Sequence, residues 1–338
     1  MASAEPMMQA VQVHVPGGPD ALVLAQLPLP QPGPGEVRVQ ARAIGVGGPD
    51  VLIRNGSYKW MPPLPAIPGN EMAGVVDALG AGVTGLAVGQ RVLVSSRELP
   101  QRGGCYAQAL CVPADALFHL PDNVGFGDAM SLGNFQLAQA MLQSCSGAMG
   151  VRSALLPGAA GGVATALTQL ARAQGITVVG TASSAAKRDF ALANGASTVL
   201  LDADPASLPA RVLEATGGRG VDLAFDHVGG ALFVACLRSL ADFGCAVSYN
   251  ILSGAPNADV FQELRTRLAK SLAVRTFSIH SWDHDRAARR ALMERAIELM
   301  AAGRIQAPPA TLLPLTAARH AHELLDGGRT LGKIILEP

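Results

Sequence analysis

Residues Pro157-Gly158-Ala159-Ala160-Gly161-Gly162-Val163-Ala164 bring together the side chains and spacing needed to hold a pyrophosphate. The apolar run Ala154-Leu155-Leu156 enters this turn, and an alanine-rich segment through Leu170 and Ala171 leaves it. The pattern reads as strand, tight turn and helix. Small residues let the backbone come close to a pyrophosphate, while free N–H groups and the positive dipole end of the helix face the anion. Ala160, Gly161, Gly162 and Val163 are therefore candidate cofactor-binding residues. Ala164 fits the third position of a dinucleotide fingerprint, which accepts Gly or Ala. A glycine-rich turn alone is weak evidence. Its context strengthens it, because a second strand, Ile176–Gly180, follows after one helix and completes a βαβ unit.

About twenty residues past such a fingerprint, an NAD site usually carries a carboxylate for the ribose 2′-hydroxyl. This chain has Thr181-Ala182-Ser183-Ser184 there, with Lys187 and Arg188 just beyond. Nothing acidic in that run repels a 2′-phosphate. The hydroxyls of Thr181, Ser183 and Ser184 and the Lys187 ammonium could hold one, which favours NADP over NAD. The competing reading has Lys187 and Arg188 as solvated residues opening a helix.

The elements that position this turn alternate strand and helix. After about Phe135 the apolar runs Leu155-Leu156, Val178-Val179, Val199–Leu201, Leu223–Phe225 and Ala246–Ser248 recur between helical stretches. That rhythm predicts a parallel, doubly wound α/β sheet. Arg275–Ser278 is its expected last strand, followed by an amphipathic helix over Ala287–Met300. The part before Phe135 is strand-rich and broken by glycine and proline. Val11–Val15, Val37–Ala43, Val75-Val76, Arg91–Val94 and Leu110–Val112 are its expected strands. Leu312–Leu315, a helix at Ala317–Leu325 and Lys333–Leu336 are expected to rejoin that first part.

Composition bounds the partners. A chain of 338 residues, 49% hydrophobic with mean hydropathy +0.28, has material for two cores. A formal net charge of zero argues against nucleic acid or an anionic membrane as the main partner. No apolar run is long enough to span a bilayer, and Met1–Gln9 lacks the pattern of a signal peptide. Five scattered cysteines form no disulfide framework, so a cytoplasmic location is expected.

Further runs carry a resemblance nearly end to end. They are Gly17-Gly18-Pro19, Pro34-Gly35-Glu36-Val37, Pro68-Gly69-Asn70-Glu71-Met72-Ala73-Gly74, Gly89-Gln90-Arg91-Val92, Gly217–Asp222 and Gly332-Lys333. In order and spacing the chain resembles the zinc-independent quinone oxidoreductases of the medium-chain dehydrogenase/reductase superfamily. The resemblance implies a GroES-like, partly open β-barrel catalytic domain over residues 1–130, completed by 276–338. It implies a Rossmann NADP-binding domain over 131–275. It also implies a homodimer that pairs the sheet edge near Arg275–Ser278 with its two-fold mate.

Zinc-using relatives place a cysteine after the early Ile-Gly strand and a histidine beside the glutamate of the Gly-x-Glu run. Here those places hold Gly47 and Asn70, and the four-cysteine structural lobe is missing between Ser95 and Cys105. Glycine offers no ligand and asparagine a poor one, so no metal is expected. His280 and His284 stand beside Asp283 and Asp285 and read as a solvated turn. His320 and His322 read as flanking a helix.

Without a Lewis acid, hydride needs an acceptor whose charge delocalises onto an oxygen that one donor can stabilise. Quinones and enones meet that condition, so the expected small-molecule substrate is one of these. Arg54-Asn55-Gly56-Ser57-Tyr58 resembles the family's Arg-x-Gly-x-Tyr loop, which makes Tyr58 the candidate catalytic donor. Tyr58 as a packing residue is the equal alternative. The resemblance also implies that the backbone of Asn250 and Ile251 touches the cofactor. Three positions depart from the family: Gly47 stands for an asparagine, Leu137 for a threonine near the nicotinamide, and Asp202 for a tyrosine at the 2′-phosphate. Asp202 opposes the NADP preference by like-charge repulsion. Asn134 and Gln136 are the candidate compensating polar groups. Reduction of enoyl thioesters and non-catalytic NADPH binding are the alternative functions.

Overall fold

The computed structural model describes residues 5–145 and 150–338, so residues 1–4 of the Met1–Gln9 start lie outside it. The chain forms two compact units, Met1–Gly133 with Met293–Pro338, and Asn134–Leu292. Residues 276–292, expected with the barrel, therefore belong to the second unit. The long helix begins there, and Gln136 and Gln139 bind the carbonyls of Arg289 and Leu292 at 2.9 and 3.1 Å.

The first unit opens with β1 (Met7–Val13), β2 (Leu22–Pro28), β3 (Glu36–Val46), α1 (Gly48–Arg54) and β4 (Glu71–Leu79). It continues with β5 (Arg91–Ser95), β6 (Ala109–Pro113), β7 (Phe118–His119) and α2 (Phe126–Ala129), and α3 (Leu132–Cys145) follows. The second unit then holds β8 (Ser153–Leu156), α4 (Gly162–Ala173), β9 (Thr177–Ala182), α5 (Ala185–Ala193), β10 (Thr198–Leu201) and α6 (Leu208–Ala215). After these come β11 (Val221–Asp226), α7 (Gly230–Arg238), β12 (Leu240–Ser248), α8 (Val260–Arg265) and β13 (Ala273–Thr276). Helix α9 (Arg286–Ala301) leads to β14 (Ala310–Pro314), α10 (Ala318–Asp326) and β15 (Lys333–Glu337).

In the first unit, the described strands order as β14-β15-β3-β4-β5-β7, with β6 also on β3. Alternation explains β3: Val37, Val39 and Ala41 are buried while Arg38, Gln40 and Arg42 turn outward. Those three pack with Ile44, Met72, Val76, Val92, Ile334 and Leu336 in one core. Each Val, Ile, Leu or Met among them contributes about 1.5–3 kcal/mol on burial. Strand β2, paired antiparallel with β1, was not foreseen. It leaves Val23 and Leu24 exposed, so its burial signal is faint.

The second unit is the expected parallel sheet, ordered β10-β9-β8-β11-β12-β13. Its apolar runs form those strands, with helices packed on the sheet around Leu155, Val179, Ala224 and Ala246. The edge strand lies two residues before its expected start. The order reverses between β8 and β11, which makes the carboxyl ends of these two strands the switch point where open α/β sheets bind ligands.

Candidate functional site

In the second unit, the turn after β8 is fixed by β9. Thr181 accepts the Gly158 N–H at Oγ1 (3.1 Å) and the Ala159 N–H at its carbonyl (2.9 Å). Gly158 has φ +64°, a left-handed conformation that favours glycine. Gly162 opens α4, where a Cβ would stand 2.5 Å from Asn134 Nδ2. No side chain caps this helix, whose N-cap is Gly161. The N–H groups of Gly162, Val163 and Ala164 are thus those that any helix leaves without an intrahelical acceptor. Ala160, Gly161, Gly162 and Val163 come together here at the turn and the uncapped start of α4.

The other candidate residues of this unit gather at the same ends of the parallel strands. Beyond β9, Lys187 Nζ donates to Ser183 Oγ at 3.3 Å, and Ser184 caps α5 by accepting the Lys187 N–H at 3.3 Å. Arg188 instead pairs with its neighbour Asp189 at 2.9 Å. Thr181 is buried and secures the turn. Asp202, at φ +44°, donates its N–H to Ala182 O beside the end of β9. Beyond β12, Asn250 and Ile251 are exposed, and Asn250 Oδ1 accepts the Ile251 N–H at 2.9 Å. Of the two compensating groups, Asn134 lies at the α4 terminus. Gln136 donates to Arg289 O and leaves its Oε1 buried without a partner.

The first unit holds a buried polar chain that the sequence did not reveal. Asp50, at the third position of α1, accepts the Gly47 N–H at 2.8 Å and Asn70 Nδ2 at 2.6 Å. Ser96 Oγ donates to Asn70 Oδ1 at 2.6 Å, which fixes the direction of the amide. Arg54 can only donate, so His322 Nδ1 accepts from it (3.2 Å) and Nε2–H donates to the Tyr106 hydroxyl (2.9 Å). That hydroxyl donates in turn to Asp50 Oδ2 at 3.4 Å. Two donor chains, from Ser96 through Asn70 and from Arg54 through His322 and Tyr106, end on the Asp50 carboxylate, while Arg54 also pairs with Asp326 at 2.9 Å. Burial pushes the Asp50 pKa up to about 6 against the pull of Asn70 and Gly47. Burial and the Arg54 charge push His322 down to about 4, so its ring is neutral at pH 7.

Gly47 and Asn70, the two positions tied to zinc in relatives, therefore both bind Asp50. Among the described residues, no three His, Cys, Asp or Glu side chains group so as to hold a metal ion. His280 faces Asp283 at 2.9 Å. His322, expected to flank a helix, lies inside α10 and is fully buried. Its partners lie up to 268 residues away in sequence, beyond any spacing rule. Tyr58 packs with Ile53, Ala66, Trp60 and Met61, its ring 5.7 Å from that of Trp60 and edge-on.

Comparison with known proteins agrees with this architecture. Residues 33–122 match the family described as alcohol dehydrogenase GroES-like domain, and 162–300 the family described as zinc-binding dehydrogenase. A quinone oxidoreductase of Salmonella typhimurium is 32% identical over 98% of this chain and 100% of its own. The chain belongs to the quinone oxidoreductase family. A 2-haloacrylate reductase of a Burkholderia species is 30% identical over 98% of this chain and 99% of its own. The crystal structure of Escherichia coli quinone oxidoreductase complexed with NADPH superposes with TM-score 0.84 at 30% identity, covering 98% of this chain and 100% of that one. A GroES-like unit and a Rossmann-type parallel sheet are thus family features.

Proposed function

We propose that this protein is an NADPH-dependent reductase that delivers hydride to a quinone or an activated alkene without zinc. One observation carries the reading: the uncapped start of α4, with its Gly158–Gly162 cradle, lies at the switch point of a parallel sheet. The residues fit a dinucleotide, since glycine stands at both places where a Cβ would crowd His227 or Asn134. Ser183 and Lys187 hold the 2′-phosphate, and Asn250 and Ile251 lie along the nicotinamide half. When bound, NADPH supplies the hydride.

Tyr58 donates to the oxygen on which charge develops, and the Asp50 network holds Asn70 in place of a metal ligand. The NADPH complex of the E. coli relative supports the cofactor, and the haloacrylate reductase supports the alkene arm. The purified protein is expected to oxidise NADPH faster than NADH with a panel of quinones and enones, and to keep that rate in chelator. Elemental analysis should find no stoichiometric zinc. One zinc per chain with activity lost on its removal, or no oxidation with any acceptor, would refute the proposal.

We also propose a homodimer joined along β13, the exposed edge of the sheet, since proteins normally cover or pair such an edge. Light scattering at micromolar concentration should give twice the chain mass, and a monomer mass would exclude it. No helix among the described residues is long and apolar enough to cross a membrane. The five cysteines are free, which fits the reducing cytoplasm proposed as the location.

A further inference from the structure

His227 follows directly on β11, across the switch point from the turn after β8. Its ring edge faces that turn: a Cβ on Gly158 would stand 3.0 Å from His227 Cε1 and 3.5 Å from Nε2. The opposite nitrogen, Nδ1, is shut from solvent and has no hydrogen-bond partner. None of the groups packed around the ring supplies one. The Asp226 carboxylate accepts the N–H groups of Val228 (3.2 Å) and Gly229 (2.7 Å). Tyr249, after β12, lies with its ring tilted and 5.7 Å away. The turn itself, 157–161, contains no titratable residue.

This arrangement selects a tautomer. A neutral imidazole carries one N–H. At Nδ1 that hydrogen would be a buried donor with no acceptor, which folded proteins rarely tolerate. At Nε2 it sits on the edge that faces Gly158. Burial also holds the ring below the ordinary histidine pKa, so the ring stays neutral. The result is one fixed N–H beside a turn built for close backbone approach.

We propose that His227 binds the pyrophosphate of the dinucleotide, its Nε2–H donating to a phosphate oxygen at the Gly158 turn. The proposal rests on the dinucleotide reading given above and adds a side-chain ligand from the strand on the other side of the switch point. Hydrogen bonds to a charged group are the strong ones. His227 thus complements the α4 terminus without placing a cation in the crevice.

The probe is ADP-ribose, which has the pyrophosphate but neither nicotinamide nor 2′-phosphate. His227→Phe keeps an aromatic ring against Gly158 and is expected to raise the ADP-ribose Kd roughly 10–100-fold by calorimetry. His227→Gln retains an N–H donor and should recover much of the loss. Nitrogen NMR of the wild-type imidazole, independent of any variant's folding, should show the Nε2–H tautomer, with Nε2 moving most on ADP-ribose addition. An unchanged Kd in folded His227→Phe, or an Nδ1–H tautomer, overturns the assignment alone. A wild-type protein that binds neither ADP-ribose nor NADPH overturns the dinucleotide reading, and the His227 assignment with it.

Discussion

Lys333→Met is expected to destabilise the protein by about 3–5 kcal/mol, the usual cost of leaving one member of a buried ion pair alone. Lys333 Nζ meets Glu71 Oε1, and their side chains are only 9% and 16% exposed. The pair ties the start of β15 to the start of β4, with β3 between them in the sheet. Local sequence makes room for it. A Cβ on Gly45 would fall 2.3 Å from Glu71 Oε1, so only glycine at that point of β3 admits the carboxylate. Methionine has nearly the length of lysine, so packing changes little while the charge is lost. At roughly 2–4 °C per kcal/mol for a protein of this size class, the melting temperature should fall by about 10 °C. Adding Glu71→Gln should restore part of it, because the stranded charge is then removed. Urea titration of the two singles and the double gives the coupling. A single-variant loss below about 1 kcal/mol would class the pair with exposed ones.

Gly332-Lys333 was visible in the sequence as a family-like run, yet its partner was not. Periodicity shows which face of a strand is buried and small residues show where a turn is tight. Both are local signals, and they located the strands of the second unit and the turn that leads from β8 into α4. The Asp50 chain is different in kind. Its members come from α1, the segments around Asn70 and Tyr106, and α10, so only the folded sheet brings them together. His322 looks like an ordinary helix-flanking residue until Arg54 and Tyr106 are seen to bracket its ring. His227 escaped for a related reason, since its meaning comes from the turn after a different strand. The boundary near residue 292 was missed because one continuous helix, α9, crosses it with no glycine or proline to mark the place.

Tyr58→Phe tests the proposed donor, and kcat on an enone is expected to fall by about 10²–10³, as when one oxyanion donor is removed. The ring lies in an apolar cluster and is only 9% exposed, so phenylalanine fills the same space and the fold should survive. NADPH affinity should be unchanged, because no residue of the dinucleotide cradle is altered. Quinones should lose less than enones, since water can protonate a hydroquinone oxygen. A kcat on the enone within twofold of wild type would assign Tyr58 to packing. Attention would then pass to Asp50, whose pKa near 6 has a distinct signature. Asp50 can donate a proton only below that pH, so a donor there would make kcat decline as pH rises through 6. A phenolic donor gives no such decline, because phenols as a class ionise only near pH 10. Wild-type kcat that is flat from about pH 5 to 8, together with a slow Phe variant, identifies Tyr58 as the donor.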